Sequence, residues 1–309
     1  MASDSTPGAD APHPASSGLR LGVDLGGTKI AAALLGQDGA TLEERRIANP
    51  GGYDAVLVAI RDLCDGLVGR EVKLGIGMPG SISPVTRLVR NANSTYLNGR
   101  NFAADLAGAT GRQVRLANDA NCFALSESVD GAGAGAASVF GVIIGTGVGG
   151  GLVVRGELVE GAGGVAGEWG HIPLPWAEDG ERQAQPCWCG LRDCMELWAS
   201  GTGFEKDYGQ AGVRGPQIVE RARAGETAAK AALDRYISRL ARGLAVICNV
   251  FDPNVIVLGG GMSNVDELYT ALPEAMRPYQ FTDQPANQIL RNRHGDASGV
   301  RGAAWLWPR

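Results

Sequence analysis

The stretch LRLGVDLGGTKIAAALLGQDGATLEERRIA, residues 19–48, decides how the rest of the chain is read. Its first apolar run has the length and composition of a buried strand. The run ends at Asp24 and breaks at Gly26-Gly27, and a second apolar run continues from Lys29. Asp38-Gly39 then carries a hairpin-turn signal, and a third run closes the unit. The same order returns in SVFGVIIGTGVGGGLVVRGELVEG, residues 138–161, with Gly145-Thr146-Gly147 at the break. Two units so far apart are a duplication of arrangement, not a short-period repeat. Facing each other, they would enclose a cleft with a glycine turn on either wall.

Between and beyond these units, strands alternate with helices. Residues 53–69 place Val56, Ile60, Cys64 and Leu67 at the spacing of an amphipathic helix. VKLGIGMPGS (72–81) and VRLAND (114–119) are strands running into turns, and a helix follows over 120–128. The longest helical pattern covers 225–251, with Ala229, Leu233, Tyr236, Leu240, Leu244, Ile247 and Phe251 on one side. Asp252-Pro253 stops it. VIVLGGG (255–261) is a further strand ending in glycines. The alternation predicts an α/β protein of two lobes around a cleft. We expect a smaller lobe over 19–117, a larger one over 118–295, and a last segment, 296–309, that packs back on the first lobe as a short helix. Residues 1–18 have no hydrophobic centre and read as a disordered tail, not a signal peptide.

Glycine turns after strands let backbone N–H groups converge on an anion. The first such turn offers Asp24, Gly26, Gly27, Thr28 and Lys29, the second Gly145, Thr146 and Gly147, and the third Gly260 and Gly261. None is the GxxxxGK[ST] loop, but their recurrence in both halves points to nucleotide phosphates. Asp24 suits either a magnesium ion held through water or hydrogen bonds within its own turn. Asp119, ending a strand and opening a helix, suits either a general base or an N-cap. Asn91, Asn93, Asn98 and Asn118 offer amides to sugar hydroxyls, or simply to loops.

Residues 167–196, from GEWGH to CWCGLRDCME, hold a second cluster. His171, Cys187, Cys189 and Cys194 form a Cys3His set suited to tetrahedral zinc. A closed set leaves no position for a reacting water, so the zinc would be structural. Glu168 and Glu196 flank the ligands without being needed to hold the metal.

A net charge of −5 with no basic stretch argues against nucleic acid and anionic membranes as partners. No apolar run has the length to span a bilayer. Six cysteines in 309 residues are too sparse for a disulfide framework, and thiolate ligands need a reducing compartment, so a cytoplasmic protein is expected. Cys64, Cys122 and Cys248 sit in apolar contexts and read as small core residues.

In this order, DLGGTK, GMPGS, NDAN, GTGVGGG, GEWGH and CxCGxxxCxE resemble the ROK family of bacterial sugar kinases and repressors, from about residue 21 to the end. NANSTYLNG, AGEWGHIPLPW, GGGMSNVD and GVRGAAWLWP are most similar to the family's fructokinases of the mannofructokinase type. The resemblance implies an actin-like ATPase fold, with ATP and magnesium between the glycine turns and phosphorylation of a hexose 6-hydroxyl. Fructose is favoured, ahead of mannose, glucose and N-acetylglucosamine. It implies Asp119 as the general base, Asn118, Glu168, His171 and Glu196 as sugar contacts, and His171, Cys187, Cys189 and Cys194 as zinc ligands. Asn93 joins the sugar contacts among the asparagines of NANSTYLNG. Relatives of this kind are commonly homodimers. One departure is Asp193, where the family usually has a Gly suited to a left-handed turn, a conformation Asp tolerates better than most residues. The family's repressors add a helix-turn-helix ahead of the first glycine turn. Only the short Pro/Ser/Gly tail precedes residue 19 and the net charge is acidic, which favours a kinase over a sugar-responsive repressor, and a plain sugar-binding module would leave Asp119 and the paired glycine turns unexplained.

Overall fold

The opening stretch forms three strands, β1 (Arg20–Leu25), β2 (Lys29–Leu35) and β3 (Thr41–Ala48). The structure is a computed structural model that describes residues 18–308. The expected tail lies outside the described residues, apart from Gly18. After β3 come α1 (Tyr53–Asp65), β4 (Leu74–Met78), a small hairpin of β5 (Ser81–Ile82) and β6 (Val89–Arg90), α2 (Phe102–Thr110) and β7 (Val114–Asn118). Helix α1 buries Val56, Ile60, Leu63 and Cys64, which are the positions its 3.6-residue period turns inward.

The second half begins with α3 (Asp119–Val129), β8 (Ser138–Ile144), β9 (Val148–Val154) and β10 (Glu157–Leu158). It continues through α4 (Glu196–Ala199), α5 (Gly201–Tyr208), α6 (Gly215–Arg223), α7 (Thr227–Phe251) and β11 (Val255–Gly259). It ends with α8 (Glu267–Met276), β12 (Gln288–Arg291) and α9 (Ser298–Ala304).

The two sheets have the same pairing. The first runs β3-β2-β1-β4-β7 and the second β10-β9-β8-β11-β12. In each, the first three strands are antiparallel neighbours and the last two join in parallel. The duplication expected from residues 19–48 and 138–161 is therefore a duplication of sheet topology. Each sheet has its own core, the first with α1 and α2, the second with α6, α7 and α8. A smaller apolar layer joins them through α3 and α9, and α9 lies against β1, β2 and β4 as well as α3.

Helix α7 departs from its sequence pattern in one respect. Ala229, Leu233, Tyr236, Leu240 and Leu244 are buried as expected, while Ile247 and Phe251 are only half-buried. Arg239 and Arg242, which periodicity would leave in water, are also buried. They turn inward because the segment after residue 172 crosses α7 and brings Glu181 to them. Arg242 meets both Glu181 oxygens at 2.8 and 2.9 Å, and Arg239 meets Glu181 at 2.7 Å. Cys64, Cys122 and Cys248 are buried and unpaired, as core residues should be. Among the described residues no helix is long and apolar enough to cross a membrane.

Candidate active site

The parallel strands of the first sheet set the floor of the cleft. Their register places Asp24 beside Gly77, Gly77 beside Ala117, and Met78 beside Asn118. Asp24 and the Asn118-Asp119 pair therefore emerge at the carboxyl ends of neighbouring strands, where open α/β sheets bind ligands. Gly77 keeps the space between them clear, since a Cβ there would stand 3.1 Å from the Cys122 Sγ.

Asn118 and Asp119 divide the work of starting α3. Asn118 is the N-cap, its Oδ1 accepting from the Ala120 N–H at 2.8 Å while its Nδ2 donates to the Gly80 carbonyl at 3.1 Å. Asp119 sits inside the first turn and also accepts from the Ala120 N–H. The N-cap position is thus filled by its neighbour, and Asp119 remains accessible to solvent.

Charge accumulates around that carboxylate. Burial raises the Asp119 pKa, against the pull of the Ala120 N–H, its own backbone N–H and the Asn118 amide. Asp24 is pushed up to about 6, first by burial and then by the charge of Asp119, with Lys29 and Arg46 opposing. Glu168 is raised by burial, offset in part by His171 and reinforced by Asp119 and Glu196. Four carboxylates are thus electrostatically linked from the end of β1 to the start of α4. Such a cluster needs a cation before phosphate oxygens can enter, and Asp24 fits an ion held beside them.

The GEWGH segment is a single 3-10 turn over Trp169–His171, with exposed Glu168 before it and half-buried His171 at its end. Buried Trp169 fixes the turn by donating from Nε1 to the Gly149 carbonyl on β9 at 3.0 Å. His171 Nδ1 lies 3.7 Å from Cys187 Sγ, and Cys189 Sγ lies 3.7 Å from Cys194 Sγ. All four ligand atoms fall within 4.8 Å of one another. A tetrahedral zinc with metal–sulfur bonds of about 2.3 Å needs ligand separations of about 3.8 Å, so donor chemistry and spacing both fit zinc. Asp193 takes the left-handed conformation expected of it, at φ 53°, and its carboxylate accepts from the Ala184 and Gln185 N–H groups.

Several proposed sugar contacts are already engaged. Glu196 accepts from the Trp188 indole N–H at 2.7 Å through Oε1 and from the Val148 N–H at 3.1 Å through Oε2. Asn98 is closed on Ala92, accepting from its N–H and donating to its carbonyl, and so serves its own loop. Asn91 and Asn93 are exposed on that loop.

The glycine turns do not all meet in one place. Gly145 and Thr146 join Gly261 around a cavity of about 480 Å³, also lined by Gly201, Thr202, Arg214, Gly215, Val219 and Met262. Gly260 stands behind it at φ 79°, backed so closely on the Ile144 carbonyl that no Cβ would fit. Gly147 is bent back at the turn, its carbonyl accepting from the Gly145 N–H at 3.0 Å. Asp24, Gly26, Gly27, Thr28 and Lys29 do not line this cavity; they form the separate turn at the end of β1, with Gly27, Thr28 and Lys29 exposed.

Two features of the site were passed over at the level of sequence. Gly201-Thr202-Gly203 repeats the tripeptide Gly145-Thr146-Gly147, and the two are joined by a 2.7 Å bond from the Gly201 N–H to the Gly145 carbonyl. Asn49 holds the first turn by donating to the Gly26 carbonyl and to Tyr96 Oη, and nothing in its surroundings in the sequence marks it.

Comparison with known proteins places the chain in a family. The ROK family description matches residues 20–309. The chain is 38% identical over 302 residues to the N-acetyl-D-glucosamine kinase of Pectobacterium carotovorum, covering 93% of this chain and 98% of that protein. It is 40% identical over 298 residues to the enzyme of that name from Erwinia tasmaniensis, covering 92% and 98%. Among solved structures, the ROK hexokinase of Thermus thermophilus superposes with a TM-score of 0.81 at 32% identity, over 93% of this chain and 97% of that one. The ROK glucokinase of Streptomyces griseus, in complex with glucose and AMPPNP, does so with a TM-score of 0.75 at 30% identity, over 94% and 99%. With the family match running over residues 20–309 and relatives 38–40% identical over more than nine-tenths of the chain, this chain belongs to the ROK family.

Proposed function

We propose that this ROK sugar kinase transfers the γ-phosphoryl group of ATP to the 6-hydroxyl of N-acetylglucosamine. The observation that carries the catalytic part is Asp119, a cleft carboxylate relieved of capping duty and surrounded enough to favour taking up a proton. The choice of sugar rests on the curated relatives, whose names favour N-acetylglucosamine over the fructose that the motif resemblance suggested. Mannose and glucose remain competitors with the same 6-hydroxyl.

In this reading Asp119 accepts the hydroxyl proton as the sugar oxygen bonds to the γ-phosphorus and the bond to the β-phosphate oxygen breaks, releasing ADP. Glu168, His171 and Glu196 orient the sugar hydroxyls, with Asn118 and Asn93 at the opposite edge. Gly145, Thr146, Gly260 and Gly261 take the nucleotide. Gly26, Gly27, Thr28 and Lys29 face its terminal phosphates. Asp24 would hold magnesium, which supplies neutralisation of the phosphate charge. His171, Cys187, Cys189 and Cys194 would hold zinc, which supplies rigidity to the loop carrying Glu196. The same reading includes a homodimer in a reducing, ATP-containing cytoplasm, with no nucleic-acid or membrane partner.

The test is a coupled kinase assay on N-acetylglucosamine, fructose, mannose and glucose, alongside Asp119→Asn. General bases contribute about 10²–10⁴-fold, so Asp119→Asn should lose at least ~100-fold in kcat with fold and metal content unchanged. A variant that keeps more than about a tenth of kcat removes Asp119 from that role. A kcat/KM higher for any other sugar overturns the assignment of N-acetylglucosamine.

A further inference from the structure

Between the first two metal-binding cysteines stands Trp188, a large aromatic side chain that is 66% exposed. Exposure of so much apolar surface is unfavourable unless something else fixes the ring. Two contacts do. Its indole N–H donates to Glu196 Oε1 at 2.7 Å, and its ring meets the His171 imidazole edge to face, centroids 5.1 Å apart. Glu196, held from that side, accepts from the Val148 N–H through its other oxygen at 3.1 Å. Val148 directly follows the Gly145-Thr146-Gly147 turn that opens onto the 480 Å³ cavity.

We propose that Trp188 is a positioning residue of the sugar site: it fixes the Glu196 carboxylate and the His171 ring in one arrangement, and through Glu196 ties the metal loop to the second glycine turn. The proposal rests on the kinase reading above. A carboxylate on a short helix has several rotamers of similar energy, and a hydrogen bond to each oxygen selects one. The indole is a donor only, so it leaves the remaining lone pairs of Glu196 available to a sugar hydroxyl. The edge-to-face contact restricts rotation of the imidazole ring about its bond to Cβ.

The experiment uses zinc-replete full-length protein and the variants Trp188→Phe, Glu196→Ala and the double variant. Phenylalanine keeps an aromatic ring beside His171 and removes the donor. Trp188→Phe should raise the KM for the sugar by roughly 5- to 30-fold, the effect of losing one partly exposed hydrogen bond, with zinc content and melting temperature unchanged. In the Glu196→Ala background the same substitution should add less than about twofold, because the acceptor that the indole holds is already gone. A sugar KM that does not move in Trp188→Phe, additive effects in the double variant, or loss of zinc from Trp188→Phe each overturns the proposal, the last by making Trp188 part of metal-loop packing. Wild-type protein that phosphorylates none of the hexoses fails the kinase reading instead. Active wild type with an unaffected Trp188→Phe fails this inference alone.

Discussion

At Asp193 the backbone is left-handed at φ 53°, and the side chain accepts from two neighbouring N–H groups. Glycine would pay less for the backbone but lose both bonds, and alanine would lose the bonds and pay the left-handed penalty of about 1–2 kcal/mol as well. Resistance of the metal to a competing chelator should therefore fall in the order wild type, Asp193→Gly, Asp193→Ala, as followed by zinc release to a chromogenic chelator. Asp24 makes a pH-dependent prediction. Its pKa stands near 6 in the folded protein, above the usual 3.8, so the folded state holds that proton more tightly than the unfolded chain. The carboxylate thus costs stability in full above about pH 6, and the cost fades as pH falls towards 3.8. Asp24→Asn should melt a few degrees higher than wild type at pH 7.5 without ligands, about 2–4 °C per kcal/mol in a domain of this size. The gain should shrink as the melts are taken below pH 6. At this scale the sequence was legible up to a point. Asn118 and Asp119 are both good caps and both accept from the Ala120 N–H, but which one stands at the N-cap and which inside the first turn depends on helix phase, which no residue type declares.

The loop that carries the candidate zinc ligands is an element with two fastenings. Its cysteines gather around His171, and the segment before them is clamped to α7 by Glu181, whose carboxylate meets Arg239 and Arg242 inside the protein. Burial alone would raise the Glu181 pKa, but hydrogen bonds from Arg242 and Arg239 bring it down to about 2. Removing a partner of a buried charge costs up to about 3–5 kcal/mol, and less here because Arg239 stays on Glu181 when Arg242 goes. Arg242→Met should lower stability within that limit in urea unfolding, while Arg242→Met with Glu181→Leu should recover much of it. Helix α7 itself could be read from its apolar stripe and its Asp252-Pro253 stop. Its buried arginines could not, because Arg242 is hidden by a residue 61 positions upstream, and periodicity carries no information about what crosses a helix. The strand and turn order around Gly26 and Gly145 was legible because a glycine turn between apolar runs is a local property. Glu196 shows the limit of that logic. A motif marks the carboxylate, but its ties to Trp188 and Val148 are a matter of tertiary placement.

Seen whole, the molecule is one topology used twice, and the last helix lies against β1, β2 and β4 of the first sheet as well as against α3. Ala303 and Ala304 are fully buried where α9 lies over β1 and β4, and Arg301 reaches Thr41 and the Gly39 carbonyl at the β2–β3 corner. Deleting residues 298–308 should therefore loosen the first sheet more than the second. Hydrogen exchange would then show protection lost in β1, β2 and β4 and largely kept in β8, β9 and β11. The same placement fixes an order of events during synthesis. The first sheet leaves the ribosome with one face uncovered and waits, through the making of every later element, for the residues that cover it. The second half needs nothing made after it except the brief α9 and can close on its own core first, so the nascent chain would settle from its middle, and its beginning would be finished last.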